Sequence, residues 1–224
     1  MFFTGCVFFL FSVIVILYLK FFPPPTTAFI DNQKNENIES FVLPSEIEYE
    51  WVSMDKISGN MALAVIASED QRFAEHWGFD LEQIQKAIKE KERGRRVRGA
   101  STISQQVAKN LFLWNDKNYI RKGLEAYYTI LIELLWSKER IIETYLNIAE
   151  LGENVYGVQA ASTKFFKKDA IKLNSAQAAI LAAVIPNPKR FKANRPSKYI
   201  LRRQSQIQTQ MNYIGGKAYL EKFM

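Results

Sequence analysis

Ala67-Ser68-Glu69-Asp70-Gln71-Arg72-Phe73-Ala74-Glu75-His76-Trp77-Gly78 is the first of four blocks on which the reading of this chain turns. The others are Gly99-Ala100-Ser101-Thr102-Ile103-Ser104-Gln105-Gln106, Arg121-Lys122-Gly123-Leu124-Glu125, and the run from Lys138 to Asn147. Apolar residues recur at helical spacing through these blocks. Met61 to His76 reads as a helix, with apolar positions at 61, 63, 65, 66 and 73 and Gly78 as its stop. Leu81 to Glu92, Thr102 to Leu113 and Tyr119 to Trp136 read as three more. Thr102 and Gln105 have the spacing of a capping box. Ser137 caps a helix running to Asn147, and Ser175 to Ile185 is a compact alanine-rich helix closed by Pro186 and Pro188. Strand signals are weak, and no internal repeat is visible. The expected fold class is mainly α.

At 224 residues the chain has room for one main domain and an additional segment. That segment is N-terminal. Met1 to Leu19 carries no charged side chain, and Lys20 ends the apolar run. About 20 such residues span the hydrocarbon core of a bilayer. A cleaved signal peptide would show a charged start and a small-x-small cleavage site, and neither is present. Residues 1–22 are therefore read as an uncleaved transmembrane anchor. The charge pattern does not orient it. Pro23-Pro24-Pro25 favours a stiff spacer, and residues 26–50 read as a loosely ordered stalk. The expected division is anchor 1–22, linker 23–45 and catalytic domain 46–224.

The formal net charge of +7 favours anionic partners. Nucleic acid, anionic headgroups and pyrophosphate all fit that sign. The basic run from Lys86 to Arg98 suits a loop near headgroups. Cys6 is the one cysteine, which rules out an intramolecular disulfide, and His76 is the one histidine, which argues against a histidine-rich zinc site.

Taken singly, each block has an ordinary explanation. Glu69-Asp70 could decorate a solvated turn. Glu125, one turn after Arg121, could form an exposed ion pair. Glu143 could be a surface charge or a buried structural partner. Taken chemically, the set is suggestive. Glu69 shares a helical face with Phe73 and His76. A carboxylate shielded by Phe73 and Trp77 has a raised pKa, which suits a general base. Ser101 and Thr102 stand at a helix start, a natural anion site. Gln105 and Lys109 lie one turn apart. Lys109, Lys117, Arg121 and Lys122 can neutralise a departing pyrophosphate.

The four blocks resemble those of the peptidoglycan glycosyltransferase family, the enzymes that polymerise lipid II. Within it they are similar to the monofunctional biosynthetic peptidoglycan transglycosylases of Gram-negative bacteria. The signatures are Glu69-Asp-x-x-Phe73-x-x-His76-x-Gly78, Gly99-x-Ser101-Thr102-Ile-x-Gln105-Gln106, Arg121-Lys122-x-x-Glu125 and Lys138-x-x-Ile141-Ile142-Glu143-x-Tyr145-Leu146-Asn147. The resemblance covers roughly Glu50 to Tyr213. It implies a lysozyme-like helical domain with a smaller membrane-dipping lobe. It implies that Glu69 is the general base and Glu125 the second catalytic carboxylate. It further implies that Lys109 binds the donor pyrophosphate, with Ser101, Thr102, Gln105 and Gln106 around the donor and Lys117 and Arg121 as further donor-side cations. Two positions depart from the family's habit. Lys117 stands where arginine is common, losing the bidentate fork, and Ser104 stands where threonine is common.

The implied reaction joins lipid II units through β-1,4 bonds with inversion and releases undecaprenyl pyrophosphate. No cofactor is required by this reading. No metal cage is visible, and assistance by a divalent cation such as Mg or Mn is left open. The implied partners are lipid II, the growing glycan strand and the membrane, without nucleic acid. Cell-wall synthesis or division proteins stay open as further partners. The implied location is the bacterial inner membrane, with the domain on the periplasmic side. With no penicillin-binding module after Met224, the expected product is uncross-linked glycan. Two alternatives remain beside this reading: a lysozyme-like lytic enzyme, and a membrane-tethered basic scaffold without activity.

Overall fold

The computed structural model describes residues 2–39, 46–94, 101–116 and 118–224. Gly99, Lys117, the end of the basic run and the end of the expected linker lie outside the described residues.

At the centre is α3 (Gly59–Glu69). Its residues from Met61 to Ala67 are all buried. A helix that is apolar on every side has to be surrounded. It is enclosed by α9 (Ser175–Val184), α10 (Lys198–Tyr213), the short α11 (Lys217–Leu220) and α7 (Lys138–Ile148). A second layer forms where α5 (Ile103–Phe112) packs on α6 (Tyr119–Leu135) and α7. α8 (Val158–Phe166) packs beside a small sheet. That sheet has the order β1 (Glu48–Tyr49), β3 (Val155–Tyr156), β2 (Glu150–Gly152). β1 runs parallel to β3, and β2 runs antiparallel to it. The mainly α expectation holds.

Most helix starts lie within a residue of the expectation because their caps are local. Thr102 and Gln105 form the capping box of α5, and Ser137 accepts a bond from Arg140 N at the start of α7. α4 covers Leu81–Glu92, capped by Asp80.

Two expectations are corrected. The helix expected from Met61 to His76 ends at Glu69. Asp70 leaves helical geometry because its carboxylate is engaged elsewhere: Oδ2 accepts from Ile103 N at 3.0 Å and Oδ1 from His76 Nε2 at 2.8 Å. Residues 71–77 are turns, so Glu69, Phe73 and His76 do not share a helical face. Gly78 follows at φ 75°, where an added Cβ would lie 2.6 Å from Thr129 Cγ2, so only glycine fits the passage. The second correction concerns the stalk. It contains α2 (Ala28–Glu39), whose Ile30 is buried and whose first turn is bonded by Thr27.

The N-terminal α1 (Phe2–Phe21) has the length and hydropathy of a membrane span. It is also docked on the domain. Along one side, Phe8 stacks on Tyr127 at 5.8 Å and Trp136 Nε1 donates to Ile16 O at 2.9 Å, so α1 and α6 run side by side in the same direction. At its end, the Arg140 guanidinium donates to Leu19 O at 2.6 Å and Phe22 O at 3.0 Å. A cation is favourable at a helix C-terminus, where carbonyls lack partners. Glu143 holds Arg140 at 2.7 Å and accepts from Met54 N, which makes Glu143 a structural partner rather than a surface charge. Phe9, Leu10, Phe11 and Ile14 point outward from the domain.

This docking is testable by cross-linking. In a Cys6→Ser background, cysteines at positions 8 and 127 are expected to form a cross-link through a short bis-maleimide. Arg140→Leu should reduce its yield several-fold, and an unchanged yield would show that the guanidinium does not hold the anchor.

Candidate active site

α3 delivers Glu69 as its last residue to the edge of the core. The carboxylate faces α5, where Gln106 Nε2 donates to Glu69 Oε2 at 3.1 Å. The other end of that amide is fixed as well: Tyr145 OH, from α7, donates to Gln106 Oε1 at 3.1 Å. The fully buried tyrosine therefore sets which way the amide faces. Burial raises the Tyr145 hydroxyl well above its ordinary pKa, and Glu69 and Asp70 add to this, so it remains a donor.

Glu69 itself is held above the ordinary carboxylate value. Desolvation is the main cause; the Gln106 bond and the positive charges of Arg203 and Lys109 oppose it. The shielding expected from Trp77 is not what desolvates it. Trp77 is 72% exposed, and Phe73 packs in a T-shape on Phe223 and under the Lys138 ammonium.

Lys109 lies one turn beyond Gln106 on α5. Burial lowers its pKa, and the charges that act on it include both Glu125 and Glu69. The lysine is thus placed in the field of both candidate carboxylates. Glu125 is not the exposed ion pair that its spacing suggested, being only 3% exposed. Arg121 Nη1 binds one of its oxygens at 2.8 Å, and Lys122 Nζ binds the other. Glu69, Gln106, Lys109, Arg121 and Glu125 are brought into one region.

The remaining expected residues divide. Ser101 is exposed beside the start of α5. Thr102 and Gln105 are buried and committed to the cap. Thr102 Oγ1 donates to Gly78 O at 2.6 Å and accepts from Gln105 N, while Gln105 Oε1 accepts from Thr102 N. Their polar atoms hold the helix start and the Gly78 passage together. Lys117 lies outside the described residues.

A structural network supports the site from behind. Glu133 accepts from Ser104 Oγ and from Lys138 Nζ, and Lys138 also donates to His76 O at 2.6 Å. His76 is bonded to Asp70 rather than to a backbone carbonyl. The sequence reading gave no role to Tyr145 or Arg203. Tyr145 lay inside the fourth block, and its signal was a lone tyrosine among apolar core positions.

Among the described residues, no three His, Cys, Asp or Glu side chains cluster as metal ligands. Both Glu125 oxygens already serve cations.

Comparison with known proteins gives the same family as the motifs. The Transglycosylase family matches residues 34–212. A protein of Pseudomonas syringae pv. syringae named biosynthetic peptidoglycan transglycosylase is 53% identical over 94% of this chain and 89% of its own length. A protein of the same name from Pasteurella multocida is 52% identical over 92% of this chain and 86% of its own length. On that coverage and those four blocks, the chain belongs to the transglycosylase family and is a glycosyltransferase.

Proposed function

We propose that this chain polymerises lipid II, with Glu69 as general base. Glu69 takes the proton from the 4-hydroxyl of the acceptor's GlcNAc. That oxygen attacks the anomeric carbon of the donor's MurNAc, and the bond to undecaprenyl pyrophosphate breaks. The attack comes from the face opposite the leaving group, so an α-linked phosphate becomes a β-1,4 glycosidic bond. Lys109, with Arg121 and Lys122 beside Glu125, offsets the charge gathering on the leaving pyrophosphate. Glu125 acts by orienting those two cations. Gln106 and Tyr145 fix the base, and Thr102 and Gln105 act through the shape of the α5 start.

One observation carries this reading. The Glu69 carboxylate is desolvated and meets a neutral amide, while the neighbouring carboxylate Glu125 is saturated with cations. A base needs the first environment, and a leaving anion needs the cations of the second. A lytic enzyme can also use a carboxyl of raised pKa, but its sugar leaving group gives this cation set no anion to neutralise, and the family match does not favour that alternative or the scaffold.

In this proposal α1 crosses the inner membrane and the domain stands on the periplasmic side. The support is the length of α1 and its outward apolar row, together with exposed Trp77, Leu81, Tyr119 and Ile120 on the segments around α4 and the start of α6. Such a surface suits a lobe that dips among lipids. Partners beyond the substrate and the strand, such as cell-wall synthesis or division proteins, belong to the same proposal.

Glu69→Gln tests the base by two measurements with opposite signs. Polymerisation of lipid II should fall at least about a hundredfold. Stability at neutral pH should rise. A carboxyl whose folded pKa lies above its unfolded value binds its proton more tightly when folded. The folded state therefore loses stability as pH climbs from the ordinary carboxylate value through the raised one. The melting temperature of Glu69→Gln should exceed that of the natural chain at pH 7, and the gap should close below the ordinary carboxylate value. Normal polymerisation by Glu69→Gln would remove the assignment.

The amide relay gives a separate expectation for the pH profile. The Gln106 bond favours ionised Glu69, so losing it raises the pKa further. The acidic limb of kcat/KM should move to higher pH in Gln106→Leu and, by a smaller step, in Tyr145→Phe. A limb that stays in place in both variants would detach the relay from the base.

A further inference from the structure

Lys109 is surrounded in an unusual way for a half-buried cation. Among the described residues, no carboxylate comes within ion-pair distance of its ammonium. Its recorded close companion is an aromatic ring: Lys109 Nζ lies 5.5 Å from the centroid of Phe29. Phe29 belongs to α2, the helix directly after the anchor, and α2 packs along α5.

The ring is held in place by its own helix. Thr27 Oγ1 accepts from Ile30 N, Thr26 Oγ1 donates to Asp31 at 2.7 Å, and Tyr49 OH ties Pro24 O to the domain at 3.0 Å. Ile30, next to Phe29, is 2% exposed. α2 is mostly polar, and Phe29 over Lys109 is its ring contact to α5.

The electrostatics of the pair are specific. A carboxylate beside Lys109 would keep it charged but would compete with an incoming anion. A ring face favours the cation through its quadrupole, while the ammonium's hydrogens stay free for phosphate oxygens. We propose that Phe29 is a positioning residue for Lys109: its ring keeps the ammonium oriented for the donor's pyrophosphate, so the donor site is completed by the juxtamembrane helix. The proposal rests on the reading of Lys109 as the donor cation.

The test varies the ring's electron density at constant shape. Full-length protein carrying mono-, di- and trifluorophenylalanine at position 29 is assayed with lipid II in vesicles, beside Phe29→Leu, Phe29→Trp and Lys109→Met. The Michaelis constant should rise stepwise with fluorine number and reach about five-fold in Phe29→Leu, with kcat nearly unchanged. Phe29→Trp should restore it. In a Lys109→Met background, Phe29→Leu should add nothing. A Michaelis constant that is flat or falls across the fluorine series overturns the proposal, as does an equal effect of Phe29→Leu with and without Lys109. If Lys109→Met itself binds and turns over lipid II normally, the donor-cation reading falls instead. If Lys109→Met is impaired and the series is flat, only the role of Phe29 falls. The fluorinated chains keep the ring's shape, so a folding defect in Phe29→Leu does not prevent the decision.

Discussion

The site depends on one carboxylate that takes no part in the proposed chemistry. Asp70 closes α3, holds the first amide of α5 and binds His76 in the following turns. The two carboxylate bonds bring segments 33 and 6 residues away onto the end of one helix. Only with α5 fixed there can Gln106 face Glu69. The surrounding bonds repeat the same joint: Thr102 to Gly78 O, Lys138 to His76 O, and Ser104 to Glu133. A buried donor without its partner costs about 1–3 kcal/mol, so the turns between Glu69 and Gly78 are over-determined by contacts, not by local propensity.

The charges in this region follow a division of labour. Asp70, Glu125, Glu133 and Glu143 each meet a cationic or ring N–H donor. Glu69 meets an amide. The paired carboxylates hold structure, whereas the desolvated Glu69 with its neutral partner has a raised affinity for a proton. The same contrast separates the lysines. Lys138 is locked to Glu133, while Lys109 has an aromatic neighbour.

Much of the fold was legible where the causes are local. The Thr102–Gln105 box, the Ser137 cap and the prolines after Val184 mark helix ends within a few residues of themselves. The end of α3 was not legible, because Asp70 is recruited by Ile103 far along the chain. α2 was missed for a similar reason: its sequence has no amphipathic stripe, and it is held by packing on α5. The three strands have two or three residues each and exist through their pairing. Of the site, the residue types could be read but not their environment. The i, i+4 spacing of Arg121 and Glu125 is the same on a wet surface and in a buried wall. The spacing of Thr102 and Gln105 gave the cap, but not that Thr102 also reaches Gly78 O.

The clamp of Arg140 on the last carbonyls of α1 turns a tether into a strut. A flexible leash lets a domain float at any height, but a strut fixed at its top does not. With α1 across a bilayer, the level of the cleft follows the hydrocarbon thickness that α1 must match. On the proposed reading, lipid composition then becomes a control on how easily a membrane-borne sugar reaches Lys109, without any molecule binding to the protein.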